Sequence, residues 1–292
     1  MASIMTNASA MTALQSLSAT NKALQQTQGR ISTGYRVAEA MDNAAYWSIA
    51  TTMRSDNKAF SAVQDALGLG AGKIDTAYTA MSKAIDVVDE IKQKLVTALG
   101  ASEDDRAKIH SEILVRQDQL KGIATGANYA GTNVLANDDP SDPLEIVSSY
   151  NRAGDGTVSI GTIKVDISSI TLTKADGTAG GLLDDVMDID ISGAAMTDDL
   201  IKGFLDDIEN ALAKMADAAA TLGAAKTRID TQKDFVSKLM DSIDRGVGQL
   251  VDADMNKEST RLQALQVQQQ LGIQALSIAN TNSQNILSLF KG

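Results

Sequence analysis

The side chains that could do chemistry are few and poorly spaced for it. The chain holds a single histidine, His110, and no cysteine. A zinc hydrolase of the H-E-x-x-H type needs two imidazoles, and thiol catalysis or a disulfide framework needs cysteine, so those chemistries are excluded. His110 stands near Lys108 and Glu112 and is expected on a solvated helix face. Acidic groups gather at Asp184-Asp185, Asp188, Asp190 and Asp198-Asp199, but without the D-x-[DN]-x-[DN]-G loop and distal glutamate that hold calcium. They are expected to cap helices and solvate strand faces. Gly68, Gly70 and Gly72 lack the Lys-Ser/Thr of a phosphate loop and interrupt a helical pattern, so they should mark a bend or a close helix approach. No catalytic, cofactor-binding or metal site is expected.

What remains is an architecture, and two stretches dominate it. Ile208, Met215, Leu222, Ile229, Val236, Ile243 and Leu250 recur every seventh residue. So do Met53, Phe60, Leu67, Ile74, Met81, Val88 and Leu95. An unbroken seven-residue apolar repeat is the mark of a helix burying one seam against another helix. Thr197 followed by Asp198 and Asp199 can start the first of these, and Asp42 or Asn43 the second. A helix from Thr197 to Leu250 rises about 1.5 Å per residue, roughly 80 Å in all, and needs an equally long neighbour. A third helix, started by Ser102 with Asp105 at the capping-box position, turns back after Gly100 with Ile109, Ile113, Leu120 and Ile123 inward. Arg116 falls on the same stripe as a charged interruption.

The ends differ in character. Up to Gly34 the only charges are Lys22 and Arg30, and Leu14, Leu17, Leu24 and Ile31 form a weak apolar stripe. The last helix, about 256–290, places Leu262, Leu265, Ile273, Leu276, Ile286 and Phe290 on one stripe and Val267, Leu271 and Ile278 on another. A helix apolar on two faces must touch neighbours on several sides. Residues 136–196 carry both prolines, β-branched runs at 157–160, 162–167 and 170–173, and the strand-like run Val186–Ile191. The expected fold is mainly α: an elongated antiparallel helical rod with paired terminal coiled-coil helices and a small β-rich insert. Its divisions are 1–42 and 255–292 for the terminal helical domain, 43–135 and 197–254 for the rod, and 136–196 for the insert.

Composition limits the partners. A net charge of −11 opposes sequence-independent nucleic-acid binding and anionic membrane surfaces. No apolar run is long enough to span a bilayer, and the N-terminal stretch lacks the basic and apolar regions of a secretory signal peptide. Ordinary signals would place such a chain in the cytosol.

The run Arg30-Ile31-Ser32-Thr33-Gly34-Tyr35-Arg36-Val37, then Ala40-Met41-Asp42-Asn43-Ala44-Ala45 and Ile49-Ala50, resembles the N-terminal signature of bacterial flagellin. Gln263, Ala264, Gln268, Gln269, Gln270, Ala279, Asn280 and Asn285-Ile286-Leu287-Ser288-Leu289 resemble the flagellin C-terminus. The resemblance covers about residues 1–135 and 197–292 and leaves the insert as the variable, outward-facing region.

It implies a filament subunit, exported unfolded without a cleavable signal and therefore extracellular. Such a subunit assembles at the distal tip with copies of itself and sister flagellins. Further implied partners are the export apparatus, a chaperone, and the hook-associated and cap proteins. The terminal segments would line the filament core, and two-state packing between protomers would let the filament switch helical form. Subunit contacts are then expected at Arg30, Arg36, Asp42 and Asn43 and along the terminal apolar stripes. Pairing of these polar groups within one chain is the competing reading. A hook–filament junction protein shares the terminal pattern and is the alternative, with a secreted coiled-coil effector or adhesin further off. Flagellins sensed by the animal innate receptor resemble one another in an R-V-R-E-L-A-like segment. Here Ile91, Gln93 and Lys94 replace its charged positions and only Leu95 is kept, which implies weak or absent recognition.

Overall fold

In the computed structural model, residues 7–139, 141–193 and 196–289 are described, the side chains of 282–289 excepted. The chain is mainly helical, in the order α1 (Ala8–Thr33), α2 (Ala44–Ala98), α3 (Glu103–Gly126), β1 (Asn128–Tyr129), β2 (Thr132–Asn133), β3 (Leu144–Arg152), β4 (Val158–Val165), α4 (Asp184–Met187), α5 (Asp198–Val251) and α6 (Met255–Leu289). It divides into two compact units. One is built from the residues up to Asn57 and from Asp241 onward, the other from Lys58–Met240. Helices α2 and α5 supply residues to both.

In the unit from Lys58 to Met240 the heptad seams close on each other. Leu67, Ile74, Met81, Val88 and Leu95 of α2 and Ile208, Met215, Leu222, Ile229 and Val236 of α5 are fully buried in one core. The small residues Ala211, Ala218 and Ala225 are buried beside them, which lets the helix backbones approach closely. Direction follows from the ion pairs. Lys92 meets Glu209, and Lys226 Nζ lies 2.6 Å from Asp75 Oδ1, so numbers rise along α2 as they fall along α5. Arg116–Glu90 at 2.9 Å and Lys94–Glu112 at 2.6 Å set α3 antiparallel to α2 in the same way. Exposed pairs of this kind add little stability, but they oppose other registers. Arg116 thus leaves the inner stripe, and Gln117 occupies it instead. Gln117 is buried and its amide donates to the carbonyls of Val186 (2.9 Å) and Ile189 (3.3 Å).

Those bonds correct the expected strand at Val186–Ile191. Val186 and Met187 end the short helix α4, and the chain beyond is irregular. The apolar alternation is real, since Ile189 and Ile191 are buried, but Gln117 rather than a neighbouring strand takes the carbonyls. The insert's regular sheet is the hairpin β3–β4, antiparallel from Leu144↔Val165 to Arg152↔Val158, with a bulge between Val147 and Ser149. Ile170–Thr173 is not a strand, although it is buried: the Leu172 and Thr173 N–H groups donate to the Leu135 carbonyl, the Leu182 and Leu183 N–H groups donate to the Thr171 and Leu172 carbonyls, and Thr173 forms an isolated bridge with Ala136. Aspartates organise the remaining turns. Asp139, Asp155, Asp166, Asp176 and Asp190 each accept from the backbone N–H and the hydroxyl two residues on. The hydroxyl bond holds the carboxyls of Asp139, Asp155, Asp176 and Asp190 below the usual range.

Two of the three α2 glycines, Gly70 and Gly72, make room for side chains of other elements, not for a neighbouring helix. A Cβ on Gly70 would collide with Ile146 of β3, and one on Gly72 with the Tyr129 ring of β1. Gly68 has open space around it. The helix runs unbroken through all three. His110 is also not on a solvated face. Its side chain is only 14% exposed, with Nε2 3.5 Å from Asp190 Oδ1.

Candidate functional site

The candidate site is the pair α1/α6, both in the unit that holds the residues up to Asn57 and from Asp241 onward. Asn7 caps α1 by accepting from the Ala10 N–H, and Gly34, at φ 75°, closes it in a left-handed cap. Asp254 starts α6, its Oδ1 accepting from the N–H groups of Asn256 and Lys257. Between helices α1 and α6, Tyr35 bridges Asp252, and the Ala253 N–H donates to the Gly34 carbonyl. These bonds fold the two helices against each other as an antiparallel hairpin made from opposite ends of the sequence.

The seam follows a 3-4 spacing on both sides. On α1 it is Ala10, Ala13, Leu17, Thr20, Leu24, Thr27 and Ile31; on α6 it is Glu258, Leu262, Leu265, Gln269, Gly272, Leu276 and Ala279, all of them partly or fully buried. Polar contacts fix the register at three levels. Asn7 Nδ2 donates to the Ala279 carbonyl (2.9 Å), Gln269 Nε2 donates to Asn21 Oδ1 (2.8 Å), and Arg30 Nη1 lies 3.4 Å from Glu258 Oε1. Glu258 is 6% exposed and also faces Arg261 at 3.6 Å. Gly272 lets Leu17 sit against the α6 backbone.

This sorts the expected contact residues. Leu17, Leu24, Ile31, Leu262, Leu265 and Leu276 lie in the intrachain seam. Leu14, Leu271, Ile273 and Ile278 stay exposed, together with Val267 and Met11. Met11 stands one turn before Leu14 on the same side of α1 and extends its exposed apolar surface. Ile286 lies in α6 with its side chain outside the described residues, and Phe290 lies outside them altogether.

The four polar contact candidates of the N-terminal signature, Arg30, Arg36, Asp42 and Asn43, all have work within the chain. Arg30 pairs with Glu258. Arg36 Nη2 donates to the carbonyls of Gln249 and Leu250 at the end of α5, where the helix dipole favours a cation. Asp42 Oδ2 accepts from the N–H groups of Ala38 and Glu39, and Asn43 caps α2 through the Tyr46 N–H. They build the turn on which Val37, Ala50, Val247 and Val251 form a small core.

Paired ends, heptad seams and an exposed apolar face define a helical structural protein. The N-terminal helical region of bacterial flagellin matches residues 4–139, and the C-terminal helical region matches 205–290. A flagellin of Brucella melitensis is 56% identical over the whole length of both chains, and flagellin C of Rhizobium meliloti is 48% identical, again over both chains entire. A solved chain described as a flagellar hook-associated protein of Vibrio parahaemolyticus shares the fold alone, at 12% identity over 72% of this chain and 100% of that one, with a TM-score of 0.56. The chain belongs to the bacterial flagellin family. It is a structural subunit of the extracellular flagellar filament, not an enzyme, and the full-length flagellin identities disfavour the junction alternative.

Proposed function

We propose that the exposed apolar side chains of the α1/α6 hairpin make the contacts between subunits. The carrying observation is that Leu14, Leu271, Ile273 and Ile278 remain in solvent after the hairpin seam is complete. Exposed apolar groups on both flanks of a nearly uncharged helix pair are buried when copies meet. Residues 1–42 and 255–292 then form the filament core, 43–135 and 197–254 the surrounding helical shell, and 136–196 the outer surface. Export without a cleavable signal, escort by a chaperone, and contact with hook-associated and cap proteins complete this reading. It is supported by the family and by helical ends poor in the charge pairs that stabilise isolated helices.

The test is seeded growth: monomer added to sheared filament fragments and imaged by negative-stain electron microscopy. The full chain should extend seeds into long filaments, and a chain lacking 1–34 and 256–292 should not. Equal growth from the truncated chain would sink the assignment of contacts to the terminal helices, and full chain that only decorates seed ends would match a junction component.

Weak innate-receptor recognition also gains a physical reason. Ile91 and Leu95 are fully buried, Lys94 is held by Glu112, and Gln93 donates to Asp89. Receptor-reporter cells should respond far less to this protein than to a standard agonist flagellin. A matching dose–response would overturn this.

A further inference from the structure

The turn before α2 and the first turns of that helix hold an exposed aromatic group. Trp47 is 39% exposed and Tyr46 is 41% exposed; Ile49 and Met41 are more open still. Tyr35 is also exposed, and the Arg54 guanidinium carbon lies 4.8 Å from the centre of its ring. On the helix, Tyr46 and Ile49 share one stripe, and Trp47 and Arg54 share another two turns apart. Trp47 and Tyr46 fall on positions that the flagellin signature leaves unspecified.

The ground under these side chains is fixed. The Trp47 N–H donates to the Asn43 carbonyl (2.9 Å) and the Tyr46 N–H to Asn43 Oδ1 (3.1 Å). Ala50 faces inward onto Val37, Val247 and Val251. Trp, Tyr and Arg dominate the few residues that supply most of an interface's affinity, and a rigid base reduces the ordering cost of using them. A scattered surface leucine needs no explanation, but a tryptophan and two tyrosines around one helix start do.

We propose that Tyr46 and Trp47 are the aromatic anchor of a contact between copies of this chain. The occupant is a second copy because a filament subunit of this family meets itself, and the proposal rests on that reading. Truncating the anchor should weaken addition of subunits to a filament end without changing the subunit's own fold.

Trp47 is the one tryptophan in the sequence, so its fluorescence reports on this spot alone. Seeded growth of the full chain is followed by light scattering, with tryptophan emission and acrylamide quenching read in parallel. As scattering rises, emission should move to shorter wavelength and the quenching constant should fall at least about twofold. Trp47→Ala should raise the monomer concentration needed for growth about tenfold or more, and Trp47→Phe should recover most of that loss. Circular dichroism of each monomer checks folding. If a variant does not fold, the wild-type quenching result decides. Scattering that rises with emission and quenching unchanged, or wild-type growth by folded Trp47→Ala, overturns the anchor and leaves the filament reading intact. Wild-type monomer that never extends seeds overturns both.

Discussion

Leu271→Asp should abolish filament growth while leaving the subunit folded. Leu271 is 58% exposed on α6, so a carboxylate there stays solvated in the monomer and disturbs no seam contact. In a subunit contact packed around an apolar side chain the same group must lose water. An unpaired charge buried in this way costs several kcal/mol, and 2.7 kcal/mol is already about a hundredfold in an equilibrium. The contrasting variant is Leu276→Asp. Its charge enters the intrachain seam, so it should reduce helix content in the monomer as well as growth. Circular dichroism with seeded growth separates the two. Normal filaments from Leu271→Asp would remove this face from the assembly.

Leu222→Ala should strongly destabilise the Lys58–Met240 unit. Leu222 is fully buried in the α5 seam, and emptying such a site costs about 2–5 kcal/mol through lost burial plus the cavity. A unit of this size loses roughly 2–4 °C per kcal/mol, so a fall on the order of 10 °C in melting temperature is expected. Phe235→Ala on the same helix is the control, because Phe235 is 56% exposed and its loss should cost about 0.5 kcal/mol or less. Urea midpoints of the two variants give the comparison. If they shift equally, the heptad seam is not where this unit's stability lies.

The long helices were legible because a seven-residue repeat sustained over many turns has one physical meaning. The middle of each seam is fully buried, as at Ile74 and Met215, while Met53 and Ile243 towards one end are only partly so. The insert was less legible because, outside the β3–β4 hairpin, its chain is held by turns, isolated main-chain bonds and the Gln117 side chain. Strand β3 escaped notice since the bulge at Val147–Ser149 breaks its alternation, and Pro143 just before it reads as linker. Conversely, Val186–Ile191 alternates like a strand but is held by Gln117, which shares the buried stripe of α3 with Ile113 and Leu120 and whose partners lie 69 and 72 residues further along. His110 read as solvated for the same reason: Asp190, which approaches it, lies eighty residues further along.

For the candidate site, the apolar residues of α1 and α6 were readable, but their division into inner and outer faces was not. Helix α6 is apolar on two sides, and hydrophobicity cannot rank them. The seam was decided by groups that a hydrophobic count ignores: the Asn21–Gln269 bond, the Arg30–Glu258 pair and the small Gly272. The signature residues Arg36, Asp42 and Asn43 each meet a main-chain group nearby in the fold, contacts that the motif itself does not specify.

The hairpin also imposes an order of events on the chain. Helix α1 is made first and its partner α6 last, with more than two hundred residues between them. Any process that delivers the polypeptide from its N-terminus leaves Leu17 and Leu24 without a seam until α6 arrives. A chain broken off early therefore cannot complete the pair, however well its other helices fold. Completion of the pair reports that α1 and α6 of the same molecule are both present, so the fold carries its own check on what has been delivered between them.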